Sequence, residues 1–306
     1  MAHYLITGAT SGLGREVALR LARMGGHQLT LPARDAAKAE SFRAELLALG
    51  AGQVRTPALD LSSLQSTASF VSNFLRDTTD PVDGVLFNAG RQSATRLVKT
   101  ADGFESTFAV NHLAHHLILK GLTHRLTEAS IVGWTASGTH DPAEKSARLS
   151  GFRGARYTTA ARIAQGSYDD ASDEQACRDA YATSKLCNIV SARALADEAG
   201  TRRTYFSFDP GLMPGTGLAR EQSAAMYWVW NNILPLIARL LPGTSSTARS
   251  SAVLADLLVG KLRGSHNGAY FNYTGGQLEP ASPAKDRRVA HDLFVESDCI
   301  VGRYAW

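Results

Sequence analysis

The sequence predicts an α/β protein built as a doubly wound parallel sheet with helices on both faces, and three observations predict it. Short runs of β character alternate with longer amphipathic runs along all 306 residues. A glycine-rich turn, Gly8-Ala-Thr-Ser-Gly12-Leu-Gly14, joins the first strand pattern to the first helix pattern. No internal repeat, low-complexity tract or long linker interrupts the chain. Residues 1–306 therefore read as one domain, and a 44% hydrophobic content is enough for a sizeable core.

The first strand is expected at 3–7, where His3-Tyr-Leu-Ile-Thr7 is a short apolar run. Helix 12–24 follows, with Val17, Leu19, Leu21 and Ala22 recurring before Gly25-Gly26 stops it. Further strands are predicted at 27–33, 54–59, 83–88, 129–136, 203–209 and 268–273. Helices at 35–49, 63–77, 103–126, 180–199, 245–260 and 286–301 alternate with them. Pro32 is expected to bend the end of the second strand, and Asp35 to cap the next helix. Two stretches, 138–179 and 213–243, fall outside the alternation and read as insertions. The polar, Ala/Gly-rich part from Asp141 to Asp179 is expected to be a partly mobile flap.

Two features point to chemistry. Glycines between a strand and a helix let the backbone approach a pyrophosphate, and the exposed N–H groups and dipole of the helix start attract its charge. Tyr181 and Lys185 stand four residues apart, so on a helix they share one face. A phenol with a pKa of about 10 is a poor base at neutral pH, and a fixed ammonium nearby is expected to lower it. Tyr-x-x-x-Lys also occurs on solvated helix surfaces, so its companions decide.

Those companions make the chain resemble the short-chain dehydrogenase/reductase family over nearly its whole length. Thr7-Gly8-Ala-Thr-Ser-Gly12-Leu-Gly14 is similar to the family's coenzyme turn, Asp60-Leu61 to its adenine-binding acid, and Asn88-Ala89-Gly90 to the end of its fourth strand. Asn111, Ser137, Tyr181 and Lys185 match its active-site residues, and Pro210-Gly211 with Thr216 its nicotinamide segment. The resemblance implies a Rossmann-type fold and an oxidoreductase. It implies coenzyme contacts at Gly8, Thr10, Ser11, Gly12, Leu13, Gly14, Arg34, Asp60, Leu61, Asn88, Ala89, Gly90, Tyr181, Lys185, Pro210, Gly211, Leu212 and Thr216. In that scheme Tyr181 passes a proton to the substrate oxygen and Ser137 orients the carbonyl. Lys185 tunes Tyr181 and holds the nicotinamide ribose, and Asn111 binds a water that relays protons from Lys185. Thr135 reads as a packing residue.

The coenzyme is expected to be NADP(H) rather than NAD(H). NAD-dependent relatives end the second strand with an acid, whereas this chain has Ala33 and then Arg34, a planar fork suited to a 2′-phosphate. Arg15 or Lys38 could add charge.

For the substrate, the long stretch before Tyr181, with Ser184-Lys185-Leu-Cys187-Asn188 and Pro214-Gly-Thr-Gly-Leu218, resembles the branch holding retinol dehydrogenases and light-dependent protochlorophyllide reductases. The pigment reductases carry a cysteine directly after Pro-Gly as a proposed proton donor to a C=C bond; here that position is Leu212. The expectation is therefore an alcohol and ketone or aldehyde pair on a bulky lipophilic substrate. C=C reduction and a non-catalytic NADP-binding regulator are the alternatives. The apolar run 226–241 is too short and interrupted to span a bilayer, and reads as a substrate lid, a membrane-surface patch or ordinary helix packing.

Thirty-two basic and 28 acidic residues, interspersed to a net charge of +4, speak against a nucleic-acid patch. His112, His115 and His116 lack the carboxylate spacing of a metal site, and His140 reads as a hydrogen-bonded loop histidine ahead of a substrate contact. Three cysteines without a pairing pattern and no secretory pattern at the start suggest a cytoplasmic setting. A monomer or a homodimer is expected.

Overall fold

The computed structural model describes residues 1–169, 171–198, 200–213, 243–261 and 267–304. Among them, eight strands form one sheet: β1 (His3–Ile6), β2 (Gln28–Thr30), β3 (Gln53–Arg55), β4 (Val82–Phe87), β5 (Leu126–Thr135), β6 (Thr204–Asp209), β7 (Ala269–Asn272) and β8 (Gln277–Leu278). Their order is β3-β2-β1-β4-β5-β6-β7-β8, parallel except for the antiparallel pair β7–β8. β1 pairs with β2 on one side and β4 on the other, so the winding reverses there and opens a crevice above the two strand ends.

The strands are apolar on both faces because helices cover both. Tyr4, Ile6, Leu86, Phe206 and Phe208 face helices α1 (Gly12–Met24), α2 (Ala36–Ala48) and α6 (Thr247–Leu258). Their alternating neighbours Leu5, Val85, Phe87, Val132 and Tyr205 face α3 (Leu64–Asp77), α4 (Ala114–Leu122) and α5 (Asp173–Ala196). A third cluster joins Leu186, Ile189 and Val190 of α5 to Leu293 and Val301 of α7 (Arg287–Val301) and to Ile163 of the first insertion. Side chains of Asp35, Ser63, Ser172, Ser246 and Asp286 cap the helices that follow them.

Several elements differ from the sequence-based expectation, each for a physical reason. The second strand stops at Thr30 because Pro32 has no N–H to give, and Ala33 makes only an isolated bridge to Ala58. The helix expected at 103–126 is four pieces: Ser106–Phe108, a π-turn at Ala109–Leu113, α4, and a 3-10 turn at Thr123–Arg125. α5 starts at Asp173, seven residues before the predicted 180, because Ser172 caps it and Asp173 and Glu174 complement its dipole. The insertion after Ser137 is packed rather than loose. Arg153 holds the buried Asp179 at 2.6 Å, Arg156 N–H donates to Thr183 Oγ1 at 2.8 Å, and Lys145–Leu149 and Ala160–Ala164 are helical. β8 was not predicted. Among the described residues no helix is long and apolar enough to cross a membrane.

Candidate functional site

The turn after β1 closes against the end of β4, and its glycines divide the work. A Cβ on Gly8 (φ +67°) would meet Ala89 Cα at 2.8 Å, and one on Gly14 would meet Asn88 Nδ2 at 2.5 Å and Gly8 O at 2.6 Å. These two let the turn pack on the Asn88-Ala89-Gly90 segment. Gly12 (φ +55°) is different: a Cβ there meets nothing within 4 Å, so its backbone faces open space at the start of α1. Ser11 is the N-cap of α1, yet its side chain accepts no cap hydrogen bond. Open N–H groups, a spare hydroxyl and a positive helix end fit a pyrophosphate. Leu13 is buried in the core, so it can offer only its backbone. Thr10 lies in the same turn.

Thr7 and Asn88 tie the strand ends together. Thr7 Oγ1 accepts from Asn88 N at 3.0 Å and Ala89 N at 3.1 Å. Asn88 Nδ2 donates to Thr7 O at 3.1 Å, while its Oδ1 accepts from Thr135 Oγ1 at 3.3 Å. Along the rim, Asp60 Oδ1 accepts from the Ser62 N–H and hydroxyl, and Leu61 packs on the core. Arg34 is exposed past β2 and makes no ion pair among the described residues. Arg15 and Lys38 are already engaged, Arg15 with Glu45 at 2.6 Å and Lys38 with Asp35 at 3.6 Å. Asp35 accepts from Lys38 N, the capping role expected of it.

The four residues of the expected catalytic set come from three places in the fold: the π-turn, the end of β5 and α5. α5 buries both Tyr181 and Lys185, at 6% and 3% exposure. Lys185 Nζ donates to Thr135 O at 2.9 Å and lies 5.5 Å from the centroid of the Tyr181 ring. A Cβ on Gly90 would fall 3.4 Å from Asn111 Oδ1 and 3.5 Å from Lys185 Nζ, which brings the Asn-Ala-Gly turn up to the same spot. Ser137 follows β5, where its Oγ accepts from Thr139 N at 3.3 Å. Asn111 sits in the π-turn with its side chain fully occupied. Oδ1 accepts from Arg91 N at 2.8 Å, and Nδ2 donates to Arg91 O at 3.0 Å and Ser184 Oγ at 2.9 Å.

The electrostatics correct one expectation. The Tyr181 phenol is pushed up, not down: burial is the main cause and the nearby Asp209 carboxylate adds to it, while the Ser137 hydroxyl works the other way. Burial lowers the Lys185 ammonium to about 8, with Asp209 opposing. Burial raises Asp209 itself, partly offset by the Gly211 N–H that donates to it at 3.0 Å. Thr135, expected only to pack, also serves the site through its carbonyl, which takes both Lys185 and Asn188 Nδ2 (3.0 Å).

Pro210-Gly211-Leu212 follows β6. Gly211 has φ +72°, and a Cβ there would meet the Tyr273 ring at 2.7 Å. Pro210 O accepts from Ser250 Oγ at 2.8 Å. Leu212 N donates to Gly243 O at 2.9 Å, and Leu212 O accepts from Ser245 N at 2.9 Å, so its backbone is already bonded. Thr216 and the apolar run 226–241 lie outside the described residues.

The four histidines singled out from the sequence are each hydrogen-bonded. His112 Nε2 meets Ser297 Oγ at 3.0 Å, His116 Nε2 meets Asp298 at 3.0 Å, and His115 meets Thr7 and the Asn111 carbonyl. His140 is buried, its Nδ1 donating to Ser137 O at 2.8 Å and its Nε2 accepting from Ala281 N at 3.2 Å. It holds the backbone of Ser137.

Sequence reasoning missed two neighbours of Tyr181. Phe152, from the insertion, places its ring 6.0 Å from that of Tyr181. No local pattern marks it. Asp209 could have been noticed as the one acid in the strand Thr-Tyr-Phe-Ser-Phe-Asp209.

Comparisons with known proteins bear on the family and the fold. A family model described as short chain dehydrogenase matches residues 2–141. The protochlorophyllide reductase of Avena sativa is 31% identical over 329 residues, 97% of this chain and 99% of its own. Protochlorophyllide reductase A, chloroplastic, of Oryza sativa subsp. japonica is 30% identical over 326 residues, 97% of this chain and 80% of its own. Among solved structures, levodione reductase matches with a TM-score of 0.64 at 20% identity, over 90% of this chain and 96% of that one. A blue fluorescent protein from a metagenomic library, in complex with NADPH, matches with a TM-score of 0.64 at 20% identity, over 90% of this chain and 97% of that one. At that identity the two structures speak for the fold alone.

Proposed function

Because the chain belongs to the short-chain dehydrogenase/reductase family, and so to its oxidoreductases, we propose that it uses NADP(H) in preference to NAD(H) to interconvert an alcohol and a ketone or aldehyde on a bulky lipophilic substrate. The observation that carries this reading is the buried Tyr181 phenol, with Ser137 acting on it and the Lys185 ammonium 5.5 Å from its ring. The coenzyme, when bound, supplies or accepts the hydride. It would be held by Gly8, Thr10, Ser11, Gly12, Gly14 and the Leu13 backbone at the pyrophosphate. Asp60 and Leu61 would hold the adenine, Arg34 the 2′-phosphate, and Asn88, Ala89, Gly90, Pro210, Gly211 and Leu212 the nicotinamide half.

The chain's own residues account for the proton. Burial and Asp209 keep Tyr181 protonated, which suits an acid in the reduction direction. Ser137 orients the carbonyl oxygen toward it. Lys185, poised to release its proton at about 8, stabilises the phenolate left behind and can return a proton to it. The Asn111 side chain is spent on Arg91 and Ser184, so its part is to hold those segments, and any water relay would run through its backbone carbonyl. Phe152 and the 226–241 run fit an apolar substrate. The three cysteines form no disulfide, in keeping with a reducing, cytoplasmic setting.

One observation favours a second reading, reduction of a C=C bond: the relatives matched over 97% of this chain are named protochlorophyllide reductases. Against it stands Leu212, where the resemblance would put the donor cysteine. The test is NADPH and NADH consumption with retinal, steroid ketones, and medium-chain and aromatic aldehydes, and with protochlorophyllide in light and dark. NADPH-dependent turnover of a carbonyl, lost in Tyr181→Phe while NADPH still binds, supports the first reading. Turnover of protochlorophyllide alone supports the second, and carbonyl turnover surviving in Tyr181→Phe overturns the role of the phenol. NADPH binding with no turnover on any of them points to the non-catalytic regulator.

A further inference from the structure

His115, which the reaction scheme does not use, stands in the middle of a buried polar chain. On one side its Nε2 lies 3.1 Å from Thr7 Oγ1. That hydroxyl already accepts from Asn88 N and Ala89 N, which uses both of its lone pairs. Its single proton therefore goes to His115, since the other acceptor in reach among the described residues, Leu86 O, is 3.5 Å away. On the other side, His115 Nδ1 lies 3.1 Å from Asn111 O, which can only accept. Both contacts together require one tautomer, with the proton on Nδ1 and a bare Nε2. The ring is kept in that neutral form: burial lowers it to about 3, and the Lys185 charge pushes the same way. It also packs 4.9 Å from the Phe87 ring.

The partner carbonyl is a special one. Asn111 sits where the helix widens to a π-turn, and Ala114 N–H reaches back to Ala109 O across it. From Asn111 the chain continues through its side chain to Arg91 and to Ser184 on α5, one residue before Lys185. We propose that His115 is a positioning residue that couples the coenzyme turn, through Thr7, to the π-turn carrying Asn111, so that the two move as one unit. Movement of the Gly8–Ala89 contact pulls on Thr7 and hence on the Asn111 carbonyl. The coupling to coenzyme rests on the nicotinamide-coenzyme reading above, whereas the coupling between the two turns does not.

The test separates the two. In the full-length protein without coenzyme, amide hydrogen exchange is followed by mass spectrometry in wild type, Thr7→Val and His115→Phe. Thr7→Val keeps the shape and removes the hydroxyl, and touches nothing in the π-turn. Faster exchange at residues 109–113 in Thr7→Val, and at both 88–91 and 109–113 in His115→Phe, is the expected result. Exchange at 109–113 unchanged in Thr7→Val overturns the proposal. If His115→Phe does not fold, His115→Gln keeps an acceptor for Thr7 and should protect 88–91 while 109–113 loosens; protection of both overturns the proposal. NADPH fluorescence titration then reads the coenzyme arm. Each single variant should weaken binding about three- to tenfold, and the double variant no more than the worse single. Additive losses overturn the coupling, whereas a wild-type chain that binds no NADPH would sink the coenzyme reading and leave the exchange result standing.

Discussion

Lys185→Met is expected to abolish activity and, at neutral pH, to make the protein more stable. Lys185 is 3% exposed, and its hydrogen bond is to a neutral acceptor, the Thr135 carbonyl at 2.9 Å. Burial takes its pKa from 10.5 to about 8. At about 1.36 kcal/mol per pH unit, that fall of about 2.5 means the folded state bears roughly 3 kcal/mol for keeping the ammonium charged at pH 7. Methionine has nearly the same length and no charge. The substitution gives up one hydrogen bond of about 1–2 kcal/mol, but Thr135 O keeps Asn188 Nδ2 at 3.0 Å. The net gain is roughly 1–2 kcal/mol. The sign with pH follows from a folded pKa below the unfolded one. The penalty is complete below pH 8 and vanishes as pH rises from about 8 to 10.5, so the gap between variant and wild type should close over that window. Urea unfolding followed by circular dichroism at pH 7 and pH 10, without coenzyme, measures it. A variant less stable than wild type at pH 7, or a gap that does not change by pH 10, would refute the reasoning.

Arg34→Ala should weaken NADPH binding about 10- to 100-fold and NADH binding little, as expected for one charge-assisted contact to a 2′-phosphate; equal losses by fluorescence titration would remove the basis for the coenzyme preference. Asp209→Asn takes away the charge that holds the protons on Tyr181 and Lys185. Both should then ionise at lower pH, so the rate of alcohol oxidation should rise at a lower pH than in wild type, and an unmoved pH–rate profile would count against Asp209. Gly14→Ala places a Cβ 2.5 Å from Asn88 Nδ2 and 2.6 Å from Gly8 O. It should cost about 1–3 kcal/mol in thermal unfolding and weaken NADPH binding, and a variant with wild-type stability would show that the turn yields easily.

Where structure follows from nearby residues, the sequence alone was sufficient. Gly25 stops α1 where the glycine pair predicts, and α7 runs within a residue of the expected 286–301. The glycine turn sits between strand and helix as its spacing implies, and Tyr181 and Lys185 share one face of α5 because four residues make about one turn. Pro32 marked an irregular end to β2, though the strand stops at Thr30, short of the expected 33. The π-turn was not legible, because its extra residue is held by partners distant in sequence: Asn111 by Ser184, 73 residues away, and His115 by Thr7, 108 residues away. Phe152 reaches Tyr181 only because Arg153 and Arg156 pin the insertion to α5. The direction of the Tyr181 shift was also beyond the sequence. Spacing along a helix reports that an ammonium is near, but whether the phenol gains or loses its proton depends on how much water is excluded and on Asp209 from another strand. Periodicity and turn chemistry are local and can be read along the chain, whereas desolvation and charge act through space and exist only once the strands and helices have closed around the site.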